Sequence, residues 1–292
     1  MADTLYFSRD TEVFVKIGSD IWEIPVLDGF SFSQATNTSE ITLNEMADTS
    51  GNSRRGRRMF NDSYAPAEWS FSTYMRPFKS TGAGVGAADN TADSHHGVEE
   101  VLWALMVGDA SYSAFDFTGF TRDTTDLDIT FANSNKTTLG TADFFFVMGG
   151  ATSGTKTTYK IEGCVVNEAA IDFDIDGIAT INWSGFGKII TEDTAPTATI
   201  TEAVTSTSNF IRNRLTALAL TTSAGGNHPA TYNVVLTGGN VTIANNITFL
   251  TPETLGVVNQ PIGHVTGTRS VSGNFTCYLN AEDDSSAELF EN

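Results

Sequence analysis

Two cysteines in 292 residues, Cys164 and Cys277, are too few and too far apart for a disulfide framework or a zinc site. Both stand in segments that read as strands. Nowhere does an apolar run approach the roughly 20 residues that a membrane-spanning helix needs. The opening Met-Ala-Asp-Thr-Leu-Tyr-Phe-Ser-Arg-Asp lacks the charged-then-apolar layout of a signal peptide, so the expected site of synthesis and retention is a cytoplasm. Basic residues are scarce, 16 against 35 acidic ones, which leaves a formal charge of -19 and a pI near 4.4. Such a chain gains no net counterion release by binding nucleic acid phosphate, and direct nucleic-acid binding is disfavoured. The Asn-x-Ser/Thr triplets at Asn37, Asn240, Asn246 and Asn274 follow from Thr-rich strands and carry no glycosylation meaning without secretion.

Catalytic signatures are missing as well. There is no Gly-x-Ser-x-Gly or Gly-x-x-x-x-Gly-Lys motif, and neither cysteine has an obvious base. His228 and His264 are isolated. His95 and His96 lie among Asp89, Asp93, Glu99 and Glu100, but adjacent histidines cannot share one face of a helix or strand as a metal-binding pair does. They read as cap or loop residues. The expectation is a protein that is not an enzyme and holds no metal or cofactor.

What is present is β-structure. Hydrophobic residues make up 40% and charged residues 17%, enough apolar material to fold, and the length suits two domains of ordinary size. Most segments alternate with a period of two or form short β-branched and aromatic runs bounded by Gly, Asn, Asp and Ser. Val13, Val15 and Ile17 share one strand face; Leu127, Ile129 and Phe131 share another, opposite Asp126, Asp128 and Thr130. The continuous run Phe144 to Met148 predicts a strand covered on both faces. One helix is predicted over Val98 to Val107, with Asp93 or Ser94 as cap and Gly108 as stop. The expected fold is all-β, a small sandwich or split barrel with one flanking helix. Residues 192–209, rich in Thr and Ser, read as a linker.

The strongest signal is an internal repeat. Residues 26–42 lie over residues 235–251 without a gap, with identities at Val26, Leu27, Gly29, Ala35, Asn37 and Thr42. Six identities in 17 positions compare with roughly one expected by chance at average residue usage. Further on, Phe71-Ser72-Thr73-Tyr74-Met75 matches Phe275-Thr276-Cys277-Tyr278-Leu279, and a helix-like start follows each match, at Val98 and at Ser286. The chain therefore divides into a first domain over 1–191, the linker over 192–209, and a second, shorter copy of the same fold over 210–292.

Charged groups cluster in two places. Residues 166–185 read as a hairpin turning at Asp176-Gly177, the glycine supplying a positive φ, with Asp172, Asp174 and Asp176 on one face and Ile171, Phe173 and Ile175 on the other. Such carboxylates form a calcium ladder, a solvated strand face or a wall of negative charge. Arg54, Arg55, Arg57 and Arg58 put four basic residues into five positions of a Gly/Asn/Ser-rich loop, a pattern for a solvated loop or for contact with an acidic neighbouring subunit.

The stretch from Leu5 to Phe78, with Trp22-Glu23-Ile24-Pro25-Val26-Leu27-Asp28-Gly29-Phe30-Ser31-Phe32-Ser33 and Ala67-Glu68-Trp69-Ser70-Phe71-Ser72-Thr73-Tyr74-Met75-Arg76-Pro77-Phe78, resembles bacteriophage tail tube proteins, as does the hairpin carrying Ile181-Asn182-Trp183-Ser184-Gly185. The resemblance implies a β-sandwich or split barrel with a flanking helix, and stacked rings whose strands form an inner barrel lined by acid so that DNA slides through. Asp172, Asp174 and Asp176 are the lining candidates it implies, with Glu40 and Glu45 as further ones. It also implies that the loop over Met46 to Asp62, with its arginines, reaches a neighbouring subunit or ring. A two-domain chain would close the usual six-part ring as a trimer; a hexamer carrying its second domain outside is the alternative. The implied partners are further copies of the chain, other tail proteins (tape measure, terminator, baseplate, and sheath in a contractile tail) and passing genomic DNA, with no membrane. The implied place is the virion tail, assembled in the host cytoplasm. A tube initiator or terminator, or an unrelated all-β binding module, would share much of this pattern.

Overall fold

The computed structural model describes residues 6–27, 29–41, 50, 58–81, 93–108, 112–113, 116–117, 119–131, 139–150, 156–201, 209–215, 218–221, 230–255, 257–281, 284 and 286–288. The N-terminal part contains β1 (Tyr6–Ile17), β2 (Asp20–Ile24), β3 (Phe30–Ser33), β4 (Thr36–Ile41), β5 (Arg58–Tyr64), β6 (Ala67–Tyr74), β7 (Pro77–Lys79) and β8 (His95–Gly97). Helix α1 (Glu100–Val107) follows, then β9 (Tyr112–Ser113), β10 (Asp116–Phe117), β11 (Phe120–Arg122), β12 (Leu127–Ile129), β13 (Ala142–Gly150), β14 (Lys156–Asp174), β15 (Thr180–Gly187) and β16 (Ile190–Asp193). The C-terminal part carries the short 3-10 turn η1 (Asn213–Leu215), β17 (Leu218–Thr221), β18 (Thr231–Val234), β19 (Leu236–Ala244), β20 (Ile247–Leu250), β21 (Gly263–Thr266) and β22 (Ser270–Cys277). The fold is all-β with one α-helix among the described residues, as the alternation predicts.

Strand β14 organises the molecule. Its first half pairs with β13 on one edge and β16 on the other; its second half pairs with β15 and β19. One long strand thus belongs to two layers: β2-β1-β13-β14 with β16, and β3-β6-β15-β14-β19-β22. The passage between layers needs close approach. Gly163 sits at φ 59°, and a Cβ on Gly185 would lie 2.0 Å from the Val165 carbonyl oxygen and 2.5 Å from the Trp69 ring. Only glycine lets the strands meet there.

Between the layers lies one apolar core. Val13 and Val15 of β1, Trp69 and Phe71 of β6, Phe144 and Phe146 of β13, Ile181 and Trp183 of β15, and most of α1 are buried in it. Its aromatic rings pack at tilted angles, Trp69 against Phe144 at 4.6 Å and Trp103 against Trp183 at 5.0 Å between centroids. Trp183 Nε1 donates to Thr73 Oγ1 at 3.0 Å, which satisfies a buried donor. Strand β13 is covered on both faces, as its continuous apolar run predicts: Phe145 and Val147 form a second cluster with Phe14, and Ala195 and Ala198 pack onto it.

Four expectations change in detail. The helix begins at Glu100, two residues later than the apolar spacing predicts, because His95 to Gly97 pair as β8 with β7. Glu99 is the N-cap, without a side-chain cap hydrogen bond, and Asp93 sits apart at φ 66°. Gly108 does stop the helix in the left-handed region. The turn after β14 spans Ile175 to Ala179, and Gly177 is absent from the positive-φ glycines; the longer turn removes the need for one. Residues 192–201 are not free of the first layer. Glu192 and Asp193 belong to β16, and Ile200, buried, bridges to Trp22. Of the helix-like start after Ser286, residues 286–288 form turn and 3-10 backbone, and the rest lies outside the described residues.

Helix α1 meets a compact buried charge cluster at its N-terminal end. His96 Nδ1 lies 3.0 Å from Glu100 Oε2, Arg122 Nη2 lies 3.4 Å from Glu100 Oε1, and the His96 ring stacks on Phe78. The histidines are therefore strand residues, and His96 pairs with a carboxylate. Next to them Glu99 accepts from the Arg76 backbone N–H at 3.4 Å, and burial pushes its carboxyl up to about 7.

Candidate functional site: the polar sheet face and its open edges

Strand alternation decides what the six-stranded layer presents on its outer side. Along β14, Ala169, Ile171 and Phe173 point to the core side, while Glu168, Ala170, Asp172 and Asp174 point away. Cross-strand register carries that side across the sheet. Asp172 pairs with Thr180 on β15 and Asn240 on β19, and Ala170 pairs with Asn182 and Thr242. Asn182 in turn pairs with Ser72 on β6, Ser70 with Ser31 on β3, and Asn240 with Asn274 on β22. The residues of this face are mostly Ser, Thr, Asn and small side chains. It carries four carboxylates, Glu68, Glu168, Asp172 and Asp174, and no lysine or arginine among the described residues of β3, β6, β15, β19, β22 and the second half of β14; Lys156 and Lys160 lie in the first half of β14, in the other layer.

The polar side chains hold one another. Ser72 Oγ donates to Asn182 Oδ1 at 2.6 Å, and Asn182 Nδ2 donates to Asp172 Oδ2 at 2.6 Å, a chain running across three strands. Ser31 and Ser70 hydroxyls meet at 3.0 Å. The surface is therefore an ordered hydrogen-bonded lattice with negative charge on it.

The acidic residues singled out in the sequence divide. Asp172 and Asp174 are on this face. Asp176 lies beyond the strand in the turn, paired with Arg214 of η1. Glu40 belongs to the separate β4·β5 hairpin, and Glu45 lies outside the described residues. Arg54, Arg55 and Arg57 are also outside them; Arg58 opens β5, where its backbone pairs with Ile41. Two further carboxylates of the face, Glu68 and Glu168, are not among the residues singled out in the sequence: alternation turns Glu68 away from the inward Ala67 and Trp69 and sets Glu168 two steps of two before Asp172, but only strand pairing brings Glu68 to the same face.

The repeat reappears as strand register. In β3·β6 the pairs are Phe30 with Phe71, Ser31 with Ser70, Phe32 with Trp69 and Ser33 with Glu68. Shifted by the repeat, these become Gly239 with Phe275, Asn240 with Asn274, Val241 with Gly273 and Thr242 with Ser272, which are the pairs of β19·β22. The following hairpins agree as well. Glu40 opposes Met59 and Ile41 opposes Arg58 in β4·β5, as Phe249 opposes His264 and Leu250 opposes Gly263 in β20·β21.

The two segments meet at a joint with its own contacts. The Asn245 amide, buried, donates from Nδ2 to the Met106 carbonyl at 2.9 Å and the Val166 carbonyl at 3.2 Å, and its Oδ1 accepts from Arg269 Nε at 3.0 Å. Met106 is in the last turn of α1, where carbonyls lack helical partners. The Ile247 N–H donates to Asn167 Oδ1 at 2.9 Å, and His264 Nε2 accepts from the Leu139 N–H at 2.9 Å. Accepting there requires the neutral imidazole, and burial together with nearby Lys188 holds the His264 pKa below its ordinary value. Ile247 packs with Leu139 and Val165 in a small cluster of their own, and Phe249 and Phe186 pack against it.

The six-stranded layer is thus antiparallel throughout, with a polar lattice on one side, and the outer edges of β3 and β22 have no partner strand among the described residues. Residues 32–292 match the phage tail tube protein family, and the chain belongs to it. It is similar to tail tube protein pb6 of Escherichia phage T5, 30% identical over 301 aligned positions that cover 99% of this chain and 60% of that protein. The chain thus spans about three fifths of the length of this relative.

Proposed function

We propose that the chain is a structural subunit of a phage tail tube, that its copies close into rings which stack into a conduit, and that the polar face of the six-stranded layer lines the lumen through which DNA passes. The observation that carries this reading is the charge of that face, four carboxylates and no basic residue among its described residues, on a lattice of Ser, Thr and Asn. A wall of this sign repels phosphate and gives DNA nothing to bind, while small polar side chains keep the surface hydrated. The role is mechanical and needs no catalytic group. Its place would be the virion tail, with assembly in the host cytoplasm and contacts to other tail proteins at the tube ends.

The two segments of equal register supply two tube units per chain, so that three chains would make a ring of six units. Cyclic rings use head-to-tail interfaces, and rings that stack without closure give a tube. Electron microscopy of the purified protein near neutral pH tests both points. Hollow tubes with threefold rings are expected. Sixfold rings would put the second unit outside the lumen, and closed oligomers or monomers at every concentration and salt would overturn the tube reading.

A further inference from the structure

We infer that one carboxamide at the root of each hairpin, Gln34 for β4·β5 and Asn245 for β20·β21, is a positioning residue that fixes the direction in which the hairpin leaves the six-stranded layer, and that ring assembly depends on that direction. The inference rests on the tube reading above. Each hairpin is a two-stranded sheet of its own. The first is joined to the layer by Gln34-Ala35, between β3 and β4, and by Ala65-Pro66, between β5 and β6. One backbone hydrogen bond crosses that link, from the Ala65 N–H to the Ala35 carbonyl at 2.9 Å, and Pro66 has no N–H to add a second. Two short links and one bond do not fix an angle by themselves.

The Gln34 side chain supplies what the backbone lacks. Its Nε2 donates to the Ala65 carbonyl at 2.8 Å and to the Lys188 carbonyl at 2.9 Å, and its Oε1 accepts from the Ile190 N–H at 3.0 Å. Two acceptors and one donor among the partners also fix which way the amide lies. Lys188 and Ile190 stand at the bend between β15 and β16, which is itself bonded to β14: the Lys188 N–H donates to the Glu162 carbonyl at 2.8 Å, and the Glu162 N–H donates to the Ile189 carbonyl at 3.1 Å. Here, beside Gly163, β14 passes from one layer to the other. The root of the hairpin is therefore tied to a point held by both layers.

The second unit meets the same need with other partners. Asn245 is the first residue after β19, as Gln34 is the first after β3, although the repeat alignment sets Asn245 against Thr36 and passes over the equivalence. Its amide donates to the Met106 and Val166 carbonyls and accepts from Arg269, the residue before β22, whose guanidinium lies 4.5 Å from the centre of the Phe131 ring. In both roots one amide donates to two carbonyls and accepts one N–H, which neither an apolar side chain nor a carboxylate can do. The hairpins also touch each other. Asn259, in the connection from β20 to β21, donates to the Asp62 carbonyl at 3.0 Å and accepts from the Tyr64 N–H at 2.9 Å, so a turn at either root displaces both.

The test places spin labels on Phe60→Cys and Glu192→Cys in a Cys277→Ser background, Cys164 being fully buried. In unassembled chains the distance between labels is expected to be single and narrow with Gln34 present and to spread over several values in Gln34→Leu, with the far-ultraviolet circular dichroism spectrum unchanged. Without labels, the assembled fraction of Gln34→Leu should fall about tenfold, as for a hairpin that holds its docking direction about a tenth of the time. Gln34→Glu keeps the acceptor for the Ile190 N–H and loses both donations, and should move both readouts the same way by less. Thr73→Val removes the acceptor of Trp183 at the opposite end of β6 and should assemble as the wild type does. A narrow distance in Gln34→Leu, or wild-type assembly despite a spread distance, would overturn the inference. Equal assembly losses in Gln34→Leu and Thr73→Val would do the same, by reducing Gln34 to a stabilising contact. A wild-type chain that forms no rings would overturn the tube reading and the assembly half of this inference, while the distances still decide whether Gln34 sets the hairpin.

Discussion

The strand pairs β3·β6 and β19·β22 have the same register and opposite fates. On β6, Ala67, Trp69 and Phe71 are buried, Phe71 at 3% exposure. Their counterparts on β22 are Val271 at 67%, Gly273, and Phe275 at 46%. Pairing is identical because it follows from alternation and turn position within a short stretch. Burial differs because β6 has β15 on its far edge and Phe144 and Phe146 across the core, while β22 ends its layer among the described residues. Register is thus a local property of this fold and cover is a non-local one.

The largest expected effect breaks the comparison at its apolar residues. Phe71→Ala should cost about 3–5 kcal/mol in urea unfolding of the isolated chain, the range for a buried aromatic. Phe275→Ala should cost about 1 kcal/mol or less, as for a partly exposed side chain. Equal losses at the two positions would mean that β22 is covered in the isolated chain.

Next in size is the buried cluster at α1, which belongs to the first segment. Glu99 in the fold holds its proton more tightly than in the unfolded chain, where a value near 4.5 applies. Its contribution to stability is therefore complete below about pH 4.5 and is lost as pH rises through about 7. The shift corresponds to roughly 3 kcal/mol at most. Urea midpoints should fall between pH 5 and pH 8 in the wild type, and Glu99→Gln should flatten that slope; an unchanged slope would remove Glu99 as its source.

The smallest of the three sharpens the comparison at the joint. Asn245→Ala leaves the Met106 and Val166 carbonyls without their amide donor and should cost about 1–3 kcal/mol. Thr36, its counterpart in the first segment, is exposed, and Thr36→Ala should stay within about 0.5 kcal/mol. Thermal melts of both variants check the difference.

By itself the sequence determined the all-β class, the strand faces of β1, β13 and β14, the helix stop at Gly108, and the repeat whose register the strands then follow. These are short-range properties, set by a period of two, by β-branched and aromatic side chains and by the freedom of glycine, and a repeat of such a pattern repeats its faces. The family was legible for the same reason, since its pattern lies in contiguous strands such as Ala67–Tyr74. Only the tertiary structure decided that β14 joins β19, that residues 192–201 lie on the first layer, that Asp176 leaves the polar face for Arg214, and that Glu68 joins Asp172 and Asp174 on it. Each depends on which distant strand or turn comes to lie alongside. A strand offers the same hydrogen-bonding groups along both edges, and its partner is selected by the side chains that can be buried together once the chain has folded back.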